Sequence, residues 1–111
     1  MKRLSIDDIK NLPDVPSKLL EIPEWKVSME IQGISKGVQI ELGRIVNDPD
    51  KDAFDYQRAL LKVCVVDPIL SDEDIDELYK KDSNVVDKIF VEINDLNGVG
   101  GIADTGDEFQ E

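Results

Sequence analysis

The chain has 111 residues, 41% of them hydrophobic and 34% charged, which suits one folded domain with a modest core and not a disordered segment. Acidic residues number 25 against 13 basic ones, and the net charge of −12, with Lys and Arg scattered along the chain, argues against nucleic acid as a direct partner. There is no histidine and a single cysteine, Cys64, so Ser-His-Asp and Cys-His nucleophilic sites, zinc clusters built on His or Cys, and an internal disulfide are all excluded.

The opening "MKRLSIDDIKNLP" starts with the basic residues of a signal peptide, but Asp7, Asp8 and Lys10 interrupt the apolar stretch such a peptide needs. The longest unbroken apolar run, Val63 to Val66, is far too short to span a bilayer. The expectation is an intracellular chain without membrane contact. Within the opening, Ser5 with Asp8 three residues on forms a capping signal, and Ile6, Ile9 and Leu12 follow at helical spacing. Pro13 and Pro16 end that element, so residues 1–16 read as an N-terminal helix and connector.

Two short strands come next. Lys18 to Ile22 is interrupted by Pro23, which cannot donate to a ladder. From Trp25 to Gln32, Trp25, Val27, Met29 and Ile31 alternate strictly with Lys26, Ser28, Glu30 and Gln32. An isolated ribbon is marginal in water, so helices must cover its apolar face. Ser35 can cap a helix to about Asn47, with Val38, Leu42, Ile45 and Val46 on one stripe. Gly37 and Gly43 weaken it, and the alternation of Val38, Ile40 and Leu42 makes a third strand the rival assignment.

In "DPDKDAFDYQRA", Asp48, Asp50 and Asp52 occupy positions 1, 3 and 5 of a calcium loop. Ala53 and Ala59 stand where such a loop needs Gly and a bidentate Glu, so the segment reads as a turn that caps the next helix. "AFDYQRALLKVCVVD" predicts a buried helix through Asp67, stopped by Pro68, with Cys64 as a small buried hydrophobe. "SDEDIDELYKK" is a short helix with Ser71 as cap, three acids in its first turn and Lys80 and Lys81 at its end. "DSNVVDKIFVEINDLNGV" predicts another, capped by Ser83 or Asn84, with Val86, Ile89, Phe90, Ile93 and Leu96 as the buried stripe and Gly98 past its end. Residues 99–111 are aperiodic and read as a flexible acidic tail.

These elements predict an α+β domain: a small antiparallel β-ribbon near the N-terminus packed on about four α-helices, predominantly helical. The carboxylates fall in helix first turns and on polar faces, and "GVGG" lacks the strand and lysine of a phosphate loop. No enzyme, metal site or cofactor is expected. Trp25 has two readings: it roofs the small core, or it forms with Pro23, Glu24, Val27 and Met29 a surface that docks another chain.

The order of these words resembles that of the tail assembly chaperones of long-tailed bacteriophages and prophages. The matching words are Ile22-Pro23-Glu24-Trp25, Cys64 to Asp67, Leu70 to Leu78 and Ser83 to Gly98, and the likeness covers residues 17–98. Such chaperones often carry glycine after the Trp element, where this chain has Lys26. The resemblance implies a non-enzymatic protein of the bacterial host cytoplasm that coats the tape measure protein during tail assembly. It also implies a homo-oligomer, and contact with the tail tube protein through a longer, frameshifted form. The rival expectation is an acidic decoy that occupies a host nucleic-acid-binding protein.

Overall fold

The computed structural model describes residues 1–98. The acidic tail expected over 99–111 lies outside the described residues. Helix α1 (Ile6–Ile9) is a single turn: the Ser5 hydroxyl accepts from the Asp8 N–H, and the Asp8 carboxylate accepts from the Ser5 N–H. It is shorter than the helix predicted over 5–12, and none of its residues is buried.

Strands β1 (Ser17–Ile22) and β2 (Val27–Gln32) form a hairpin in which Ile22 pairs with Val27 and Ser17 with Gln32. The turn begins at Pro23, whose fixed φ suits the second position of a tight turn. The Trp25 N–H donates to the Ile22 carbonyl and the Lys26 N–H to that of Pro23, both at 3.1 Å. Trp25 therefore sits in the turn and not at the start of the strand, as the alternation had suggested. Lys26 closes the turn at φ 55, the left-handed conformation that favours glycine.

Ser35 caps helix α2 (Lys36–Val46), which settles the 38–42 segment as helix and removes the rival third strand. Asp52 caps α3 (Ala53–Cys64) through a reciprocal box with Asp55, while Asp48 turns back to accept from the Asp50 N–H at 2.8 Å. These aspartates serve the backbone, as the turn reading required.

The predicted helix does not run through Asp67. Val65–Asp67 leaves it as strand β3, antiparallel to β2, with Ile31 opposite Val65, Glu30 opposite Asp67, and a bulge between. The physical reason is local and tertiary together. Val65 and Val66 are β-branched, Pro68 disfavours helix in the residue before it, and β2 offers a ladder to join. The sheet has three strands in the order β1-β2-β3, so β2 is its middle strand and β1 an edge.

Ser71 caps α4 (Asp72–Leu78), again with a reciprocal box to Asp74. Helix α5 (Ser83–Leu96) is capped by Asp82, one residue before the predicted caps, and Gly98 follows it at φ 67. The fold is α+β with helices predominating. All the packed helices cover one face of the sheet, α5 lying on β1 and β2, and α3 on β2 with α2 and α4 beside it. Leu20, Ile22, Met29, Ile31 and Val65 point into this layer and meet Leu61, Cys64, Ile75, Ile89 and Ile93. The stripe expected on α5 is buried at Val86, Ile89 and Ile93, joined by Val85, while Phe90 and Leu96 pack at its margin.

One side chain fastens the end of α5 to the strand–helix junction at the far end of the hairpin. Asn97 accepts through Oδ1 from the Ile34 N–H at 2.7 Å. Gly33 lies between, and a Cβ there would come within 2.8 Å of that oxygen and 3.3 Å of Pro16 Cδ. Burial pushes the Cys64 thiol up to about 11, with the Asn97 side chain opposing the rise.

Candidate docking surface

The hairpin tip presents the predicted surface residues unevenly. Pro23 and Glu24 are exposed, Trp25 is half-buried against the core, and Val27 is 53% exposed although it lies on the inner face. Val27 is the first residue of β2, beside the turn, and stands opposite the buried Ile22. Met29 is buried at 9% exposure and belongs to the core. The surface expected around Trp25 therefore narrows to Pro23, Glu24, Trp25 and Val27.

Two ion pairs hold α5 along the hairpin. Lys88 meets the Glu24 carboxylate at 3.2 Å, and Lys18, at the start of β1, meets Glu92. The Glu24 carboxyl is held below its ordinary value first by its own backbone N–H and then by Lys88. Both pairs are solvent-accessible, so they orient the turn more than they stabilise it. What they achieve is position: the tip, with Trp25 leaning on the core, is set as a defined surface.

Strand β1 is one of the two edges of the sheet, as Pro23 suggested, and β3 is the other. Leu19, exposed on the outer face, stands opposite Glu30, and Glu21 opposite Ser28. That face is mainly polar and acidic, with Glu21, Glu30 and Asp67 on it. A free strand edge beside an exposed leucine is a template for pairing with an extended segment.

No protein-family model, curated protein or solved structure matches this chain.

A second apolar surface lies on the other side of the helices, and it was missed in reading the sequence. Helices α2 and α3 leave between them a groove of about 390 Å³, lined by Val38, Leu42, Ile45, Ala59 and Val63, with Glu41, Arg44 and Asp48 on its rim. Val38 and Val63 also line a recess of about 550 Å³ that continues towards Pro13, Val15 and Ile34. The stripe on α2 was visible as spacing, but spacing alone does not show that neighbouring helices only partly cover it.

Against α4, the Arg58 guanidinium stacks 4.4 Å above the Phe54 ring and Lys62 meets Asp72 at 2.5 Å. Tyr79 packs edge-on to Phe54 and donates its hydroxyl to Gln57. This cluster ties α3 to α4. Among the described residues no group of three His, Cys, Asp or Glu side chains is placed to hold a metal ion. Among them, too, no helix is long and apolar enough to cross a membrane.

Proposed function

We propose that the chain is a non-enzymatic tail assembly chaperone of a long-tailed bacteriophage or prophage, working in the bacterial host cytoplasm on the tape measure protein. The observation that carries this reading is the ordered resemblance across residues 17–98, whose distinctive word places Trp25 at the hairpin tip. The position of that word gives it a physical use. Trp25 is supported from behind by the core and flanked by exposed Pro23 and Val27, an arrangement of a large aromatic anchor with a water-accessible rim.

A tape measure protein is long and helical with apolar stripes, and it is at risk of aggregation until the tube encloses it. Covering those stripes needs many copies of a soluble protein with modest apolar patches. A net charge of −12 keeps such a coat dispersed and away from phage DNA. A longer, frameshifted form would carry the contact with the tail tube protein, leaving the tape measure as the partner of this chain.

The test is co-expression with the tape measure protein encoded in the same genome. The chain is expected to keep that protein soluble and to co-elute with it in gel filtration. A tape measure protein equally insoluble with and without the chain would refute the proposal.

A further inference from the structure

Among the described residues, an apolar arm and an apolar groove stand without partners, and they match. The first is the N-terminal arm. Leu4, Ile6, Ile9 and Leu12 are 63%, 82%, 51% and 50% exposed, and no residue of α1 is buried. Its hydrogen bonds in residues 1–12 are all internal to the arm. The second is the groove between α2 and α3, with aliphatic walls of Val38, Ile45, Ala59 and Val63.

Charge adds direction to this match. Residues 1–12 carry three basic and two acidic side chains, whereas residues 13–98 carry nineteen acidic and ten basic ones. The arm is thus net cationic on a strongly anionic chain. On the groove rim Glu41 is already paired with Arg44 at 2.7 Å, which leaves Asp48 to meet Arg3 or Lys10, and these two enter no ion pair among the described residues. Complementary potentials of this kind fix register and orientation.

We infer that the arm of one chain docks its Ile6, Ile9 and Leu12 into the α2–α3 groove of a second copy. Its own groove is the less suited host. Pro13 and Val15 already line the recess at one end, and the prolines at 13 and 16 fix φ in the short connector. Arm into groove is a head-to-tail contact between unlike surfaces, which closes into a ring or grows into a filament according to the rotation per step. The inference goes beyond tape measure binding and needs no other protein, so it stands or falls on the isolated chain.

Sedimentation of the full chain tests it first. Substituting Ile6→Ser together with Ile9→Ser removes apolar surface that supports nothing in the fold, so circular dichroism should be unchanged. The dissociation constant for self-association is expected to rise about tenfold or more, the loss that follows truncating interface anchors. Directed cross-linking tests it second. Chains carrying Ile9→Cys, mixed with chains carrying Ile45→Cys and oxidised, are expected to give a mixed dimer, because native Cys64 is 0% exposed and does not compete. A monomer at all concentrations, a double-serine variant that assembles like the parent, or no mixed dimer would overturn the inference. So would ring closure within single dilute chains carrying both cysteines, which would show the arm covering its own groove.

Discussion

Helices α1 and α4 are written in the same local code and meet opposite fates. Each opens on a serine with an aspartate three residues later, and each forms both bonds of the capping box. The Asp8 N–H lies 3.3 Å from the Ser5 hydroxyl, and the Asp74 N–H 3.1 Å from that of Ser71. The return bonds to the Asp8 and Asp74 carboxylates are both 2.9 Å. Four residues after each serine stands an isoleucine. Ile75 is 0% exposed, whereas Ile9 is 51% exposed. Capping determines where a helix begins; whether its apolar side chain is covered depends on what the rest of the chain brings to it. Helix α4 lies against α3, and α1 lies beyond a proline connector with none of its residues buried among the described residues.

The sharpest way to break this comparison is to truncate the two isoleucines. Ile75→Ala should cost about 2–5 kcal/mol in urea unfolding, as for a fully buried aliphatic side chain. Ile9→Ala, measured at a dilution where the chain is monomeric, should stay within about 0.5 kcal/mol. Equal losses would show that the arm packs on its own body.

The next effect concerns Asn97, which fastens the end of α5 to the strand–helix junction. Asn97→Ala leaves the Ile34 N–H without its partner and should cost about 1–3 kcal/mol. Gly33→Ala should be destabilising on its own, because its Cβ meets the Asn97 oxygen, and less so once that oxygen is removed. A double-mutant cycle that shows simple additivity would contradict the contact.

The smallest effect separates the two caps. Ser71→Ala should cost about 1 kcal/mol of global stability, and Ser5→Ala should leave global unfolding unchanged. Their aspartates extend the contrast to pH. The cap residue's backbone N–H, as the first cause, holds both Asp8 and Asp74 below the usual 3.8. A lowered folded value means stability that is present above 3.8 and lost as pH falls through the lowered value. Asp74→Asn should remove that acid-dependent part from global unfolding, and Asp8→Asn should not.

Much of this architecture was legible in the residues. The inward face of β2 at Met29 and Ile31 follows from the alternation up to Gln32, though Trp25 itself falls in the turn. The starts of α2, α3 and α4 follow from Ser35, Asp52 and Ser71, and the end of α5 from Gly98. What could not be read was decided between elements. Val65 to Asp67 has the apolar character of a buried helix end, and only the ladder offered by β2 makes it a strand. With β3 in place β2 becomes central, and β1 and β3 are the two edges. Met29 and Val27 share a face by alternation, yet one is covered and the other not. The groove between α2 and α3 is a gap in packing, and no spacing of residues within one helix encodes a gap.

The most direct test of the proposed function compares the parent chain with Trp25→Ala in co-expression with the cognate tape measure protein, with unfolding measured on the same two preparations. Trp25 leans on the core from the turn without being enclosed, so the variant should still unfold cooperatively. Its yield of soluble tape measure protein should fall about tenfold or more, as for loss of an interface anchor. A folded variant that holds the tape measure protein in solution as well as the parent does would contradict the account.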